Sequence, residues 1–233
     1  MILEVCVADP QSLAAAIAGG ADRIELCSAL ELGGLTPLPG LMALAAQSGV
    51  PTYALVRPRS GDFVFDDHDT DAMLRDIDAI RAAGLAGVVI GASRPNGELD
   101  LPLLERLIAH AAGLGTTLHR AIDLVPDFAE ATEAAITLRV ERTLTSGGAT
   151  TALDGRDTIA FMHATARGRL AIMAGSGLTP DNVAQLLEIA DEIHSSCAAT
   201  IPSSAPAIRL GFAADTRRVT DPAIVRAMKA ALR

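Results

Sequence analysis

The sequence has no surplus of positive charge and no apolar run long enough to span a bilayer. Lys and Arg number 19 against 28 Asp and Glu, a net charge of -9 over 233 residues. Nucleic acid or an anionic membrane surface would need clustered cations, so the expected ligand is a metal ion or a small anionic molecule. The longest apolar runs fall short of the about 20 residues a transmembrane helix requires. The first six residues, from Met1 to Cys6, carry neither a basic stretch nor the apolar core of a secretory signal, so cytoplasmic residence is expected. Cysteine is scarce as well. Three of them, an odd number, in an unexported chain point to free thiols that serve packing, metal ligation or catalysis.

What is present is a repeat. A short apolar or β-branched run, a turn and an Ala-rich helical stretch recur along the chain. Eight such runs are expected as strands: Leu3 to Val7, Arg23 to Cys27, Thr52 to Arg57, Gly87 to Gly91, Thr116 to Ile122, Arg142 to Thr145, Leu170 to Ala174 and Glu192 to Ser196. Asp9-Pro10 opens a first helix that ends at Gly19-Gly20, and Thr179-Pro180-Asp181 opens a later one. Alternation of strand and helix implies parallel strands, and eight repeats favour closure into a single-domain (β/α)8 TIM-like barrel over an open doubly wound sheet. The length is near the about 250 residues typical of one such barrel, and no linker or low-complexity segment divides residues 1–233. Residues 197–220 read as an irregular loop before a last helix, Pro222 to Leu232.

In a barrel of this type function is sought at the carboxyl ends of the strands. The first two strands share a pattern, Glu4-x-Cys6 and Glu25-x-Cys27, and period-two alternation puts each pair on one strand face. With neighbouring strands about 4.8 Å apart, Cys6 and Cys27 are expected side by side near the rim, with the glutamates one layer deeper. Two such thiolates suit a soft ion such as Cu(I), although free cysteine also serves as a small buried hydrophobe. Buried glutamates need partners, for which Arg57 and Arg59 are the candidates; one arginine would hold a glutamate while the other faces ligand. A structural salt-bridge network is the alternative.

The fifth strand carries His119, Arg120 and Asp123. With His119 and Asp123 on one face, they resemble a general base and its orienting acid, and Glu25 is a second acid-base candidate. Two glycine-bearing turns, Ser146-Gly147 after strand six and Gly175-Ser176-Gly177 after strand seven, are candidates for cradling an anion through backbone N–H groups, or are ordinary tight turns. His194 and Ser196 at the end of strand eight complete the expected ring, with His194 facing His119 across the mouth. His68, His110 and His163 stand in polar contexts and are expected at the surface.

The segments Leu3 to Val7, Gly19 to Ser28, Gly33 to Pro37, Arg57 to Phe63, His119 to Asp123 and Leu144 to Gly147, taken together, resemble the CutC family, named for copper homeostasis. The likeness runs from residue 3 to about 197, and the stretch from Gly19 to Ser28 is its most specific part. It implies a cytosolic, oligomeric TIM-like barrel, and copper ligation by Cys6 and Cys27. The chain departs from the family pattern at Ser60, Ile122 and Ala174, and in strand eight, where a cysteine has moved outward to Cys197. A third thiol ligand at the family position is thereby excluded. Three functions follow as expectations: Cu(I) handling through the two cysteines, an enzyme acting on a small anionic or phosphorylated substrate with Arg57 and Arg120 as clamps, or a non-catalytic sensor using the same pocket.

Overall fold

The computed structural model describes all 233 residues. Eight parallel strands close into a barrel in sequence order: β1 (Ile2–Val7), β2 (Arg23–Leu26), β3 (Thr52–Leu55), β4 (Gly87–Ile90), β5 (Gly115–Leu118), β6 (Arg142–Thr145), β7 (Ala171–Gly175) and β8 (Glu192–Ser195), with β8 pairing back to β1. Alternation within each strand divides the residues. Leu3, Val5 and Val7 of β1, Ile24 and Leu26 of β2, Val88 and Ile90 of β4 and Ile193 of β8 face outward into the apolar layer beneath the helices. The residues between them face the lumen.

Helices α1 (Pro10–Gly19), α2 (Pro39–Ala46), α3 (Asp67–Ala82), α4 (Leu101–His110), α5 (Phe128–Thr137) and α6 (Arg156–Ala166) follow the first six strands. Aspartate starts many of them. Asp9, Asp66, Asp100 and Asp127 each accept a hydrogen bond from a first-turn amide, which satisfies an orphan donor and places negative charge at the positive end of the helix dipole. Part of the chain's acidity is thus spent on local structure.

Two expectations are corrected. The segment after β7 forms only a 3₁₀ turn at Val183–Leu186, not an α-helix, because Asn182 accepts from the Thr179 amide and donates to the Gly177 carbonyl, closing a local loop in competition with the helical ladder. Residues 197–220 are not irregular throughout: β9 (Ala198–Pro202) pairs antiparallel with β10 (Thr216–Thr220), and a short helix α7 (Ala205–Arg209) lies between them. That pairing joins residues far apart in sequence, so no local pattern announces it.

The last helix, α8 (Pro222–Ala231), is capped by Asp221 and packs beside α1, closing the outer ring. Gly19 permits the approach: a Cβ there would lie 2.4 Å from Cβ of Val225. No helix is long and apolar enough to cross a membrane.

Candidate functional site

The lumen is polar through most of its depth. Near its amino-terminal end Arg23 lies between two carboxylates, with Nε 2.5 Å from Glu4 Oε2 and Nη2 bonded to Glu192. Arg142 adds a second cation 3.2 Å from Glu192, and both guanidinium groups lie over the Tyr53 ring, at 5.6 and 4.8 Å from its centroid. Gly87 and Gly115 leave room for that ring. Charges at this depth persist only when paired, and here each carboxylate has a cation. Sequence reading assigned no role to Arg23, Arg142 or Glu192, although Arg23-x-Glu25-x-Cys27 and Glu192-x-His194 continue the inward parity by one step.

One layer higher stand Cys6, Glu25 and His194, each offering a donor atom within 4.8 Å of the others. The stagger of the barrel brings them together: β1 and β2 align Cys6 with Glu25, and β8 sets His194 beside Glu4. His194 Nδ1 lies 2.8 Å from Glu4 Oε1, while its Nε2 faces Glu25 at 3.7 Å. Gly175 opens the space for this ring, since a Cβ there would come within 3.2 Å of it.

Burial works against charge on Glu4, Glu25 and His194, and the neighbours decide how far. For Glu4, His194 and Arg23 outweigh burial and hold the carboxyl at about 2. For Glu25, burial prevails and raises the carboxyl above its ordinary range. His194 overcomes burial through Cys6, Glu4 and Glu25, which push the imidazole well up.

Cys27 is not one of these three mutually close donors, although its thiol neighbours Glu25. The register places Glu25, not Cys27, opposite Cys6, and the Cys27 thiol packs with Tyr53, Leu55 and Val89 beneath Gly34. Burial, reinforced by the Glu25 charge, raises that thiol well above its ordinary range. Cys197 belongs to the apolar layer outside the barrel, where burial lifts it to about 11.

Arg57 and Arg59 do not hold the glutamates. Arg57 caps three carbonyls, of Leu32, Gly34 and Gly61, and Arg59 clamps its own loop through Asp62, Asp69 and the Val64 carbonyl. The glutamates find their partners at Arg23 and His194 because those share the lumen layer.

His119 and Asp123 also separate. β5 ends at Leu118, and a 3₁₀ turn over Arg120–Leu124 breaks the alternation that would have kept them on one face. His119 Nδ1 accepts from the Ala121 amide at 3.0 Å, which puts its proton on Nε2, and burial beside the Arg57 charge lowers the imidazole to about 3. At neutral pH it is an uncharged donor.

Asp123 instead fills the first glycine turn. Its carboxylate accepts from the amides of Ser146 and Gly148, from the hydroxyls of Thr145 and Ser146, and from Arg120. Gly147 donates to Thr145 Oγ1. The cradle expected to take an external anion therefore already holds an internal one. In the second turn Ser176 bonds the Thr150 carbonyl and Gly177 accepts from Asn182, with Gly175 serving the His194 ring. Ser196 accepts from Arg218 of β10 and so ties the hairpin to the barrel rim.

The fold and lumen define a closed parallel (β/α) barrel with a thiol, an imidazole and a carboxylate converging on one point. The chain belongs to the CutC family, whose model matches residues 1–199. A CutC family protein of Sinorhizobium medicae is 57% identical over all of this chain and 96% of its own length. One of Caulobacter vibrioides is 52% identical, over 99% of this chain and 96% of the relative. Among solved structures, the CutC protein of Streptococcus agalactiae, described as a candidate copper homeostasis protein, superposes with a TM-score of 0.80 at 26% identity, over 84% of this chain and 98% of that one. A thiamine phosphate pyrophosphorylase from Pyrococcus furiosus shares the fold at a TM-score of 0.61 and 15% identity, over 99% of this chain and 95% of that chain.

Proposed function

We propose that this chain binds a thiophilic metal ion, Cu(I) in keeping with the name its solved relative carries, through Cys6 and His194, with Glu25 beside them. The convergence of the three donors within 4.8 Å supports this reading more than any other feature. A thiolate and an imidazole suit Cu(I), and the carboxylate that anchors the far nitrogen of the histidine, here Glu4, is the usual outer partner of a metal-binding imidazole. Loading requires His194 to give up its proton and Cys6 to bind as thiolate, so uptake releases protons. Cys27 contributes less, because its buried thiol would ionise next to Glu25. The free thiols of all three cysteines fit a reducing cytosol, and self-association is part of the same reading.

Anaerobic titration of the purified protein against a chromophoric Cu(I) chelator tests it. Uptake of one ion is expected, with affinity lowered at least about tenfold in Cys6→Ser and in His194→Ala and less in Cys27→Ser. Equal affinity in all three variants would exclude the site.

A further inference from the structure

A second constellation lies where β3, β4 and β5 end, and the metal reading does not use it. Five buried side-chain polar atoms lack a hydrogen-bond partner: Nε of Arg57, Oγ of Ser93, Nε2 of His119, Nε of Arg142 and Oγ of Ser203. Arg142 Nε is met electrostatically by Glu192 at 3.2 Å, and Ser203 lies in the hairpin connection. Of the other three, two flank one aromatic ring, and Ser93 is tied to that same residue through its main chain. The Arg57 guanidinium carbon is 4.9 Å from the Phe63 centroid, and the His119 ring is 4.7 Å from it on centroids. Ser93 donates its amide to the Phe63 carbonyl at 2.8 Å.

Arg57 and His119 are each held in place by other bonds that leave one donor free. Arg57 spends its two terminal nitrogens on carbonyls and keeps Nε–H. His119 accepts at Nδ1 and keeps Nε2–H. Gly91 is reserved for that ring, since a Cβ there would lie 2.2 Å from it. The Arg57 charge, moreover, is 5% exposed and no carboxylate pairs with it, while an unpaired buried charge and unmade buried hydrogen bonds are both costly. Every other buried cation in the lumen has its carboxylate.

We infer that Arg57, His119 and Ser93 form a binding site for a small carboxylate monoanion beneath Phe63. One uncompensated positive charge calls for one negative charge, and two fixed N–H donors with a neighbouring hydroxyl match the lone pairs of a carboxylate. A phosphate, at close to two charges, would leave an excess of negative charge in a dry pocket. Entry requires the half-buried Phe63 ring to move aside, on a loop whose turn at Gly61 has φ of +95°.

The test uses the full chain in buffer free of carboxylate and phosphate, titrated separately with acetate and with inorganic phosphate. Calorimetry measures binding, and the Nε2–H resonance of His119 in protein carrying ¹⁵N-histidine reports the site. Acetate is expected to bind one saturable site and move that resonance. Ser93→Ala is expected to weaken it about tenfold, and His119→Phe to abolish it. The resonance of the wild-type chain decides the matter if either variant fails to fold. No saturable acetate response, tighter binding of phosphate than of acetate, or acetate binding unchanged in both folded variants would each overturn the inference.

Discussion

His194 Nδ1 sits 2.8 Å from Oε1 of Glu4, and this one contact fixes which nitrogen of the imidazole is left to face Cys6 and Glu25. Glu4 can hold it because Arg23, on the next strand, neutralises its other oxygen. A structural ion pair at the base of the lumen thereby orients the donor set above it.

Removing that orientation without removing a ligand gives the first prediction. Glu4→Gln keeps the shape but loses the charge that anchors His194. Cu(I) affinity is expected to fall about 10- to 100-fold in competition titrations while the stoichiometry stays at one ion.

Arg23 carries the electrostatics of the lower lumen, with Glu4 and Glu192 both bonded to it. Arg23→Ala leaves Glu192 with Arg142 alone and Glu4 with His194 alone, and is expected to cost about 3 kcal/mol in urea unfolding. A loss below 1 kcal/mol, on the order of a surface pair, would show that the network is solvated.

Acid stability has a defined sign. An unfolded Glu4 takes up its proton below its ordinary 4.5, whereas the native group, with His194 and Arg23 outweighing burial, holds out to about 2, so its contribution is present above pH 4.5 and is lost as pH falls towards 2. His119 acts in the same direction. The unfolded imidazole gains a proton below 6.5, while burial and Arg57 keep the native ring neutral down to about 3, so stability falls through that interval. His194 runs the opposite way: its stabilisation is full below 6.5 and fades as pH rises through its elevated native value. His119→Phe is therefore expected to flatten the dependence of unfolding free energy on pH between 6.5 and 4.5, leaving the Glu4 limb below it.

The Asp123 turn predicts a created site. In Asp123→Ala the amides of Ser146 and Gly148 and the Arg120 guanidinium lose their resident carboxylate. Sulfate is expected to raise the Tm of that variant more than that of the wild type, measured at matched ionic strength.

Much of the fold was legible because its signal is local. Outward positions such as Leu3, Val5, Ile24 and Leu26 are apolar at every second place, and inward Glu4, Cys6, Glu25 and Cys27 stand out against them. What the pattern omits is the offset between strands: only the register shows that Cys6 faces Glu25, which adds a carboxylate to the neighbours of that thiol. Strand ends were equally opaque. His119 and Asp123 share parity only while the chain stays extended, and it turns after Leu118. The β9–β10 pairing and the convergence of Arg57, Ser93 and His119 on Phe63 join distant segments, which no spacing rule reaches.

X-ray absorption at the copper edge of the Cu(I)-loaded, anaerobically prepared chain tests the metal assignment most directly. One sulfur and at least one imidazole nitrogen in the copper shell, with the nitrogen lost in His194→Ala, is the expected result. A shell of two sulfurs and no nitrogen, unaltered in His194→Ala, would contradict it and return the ion to Cys6 and Cys27.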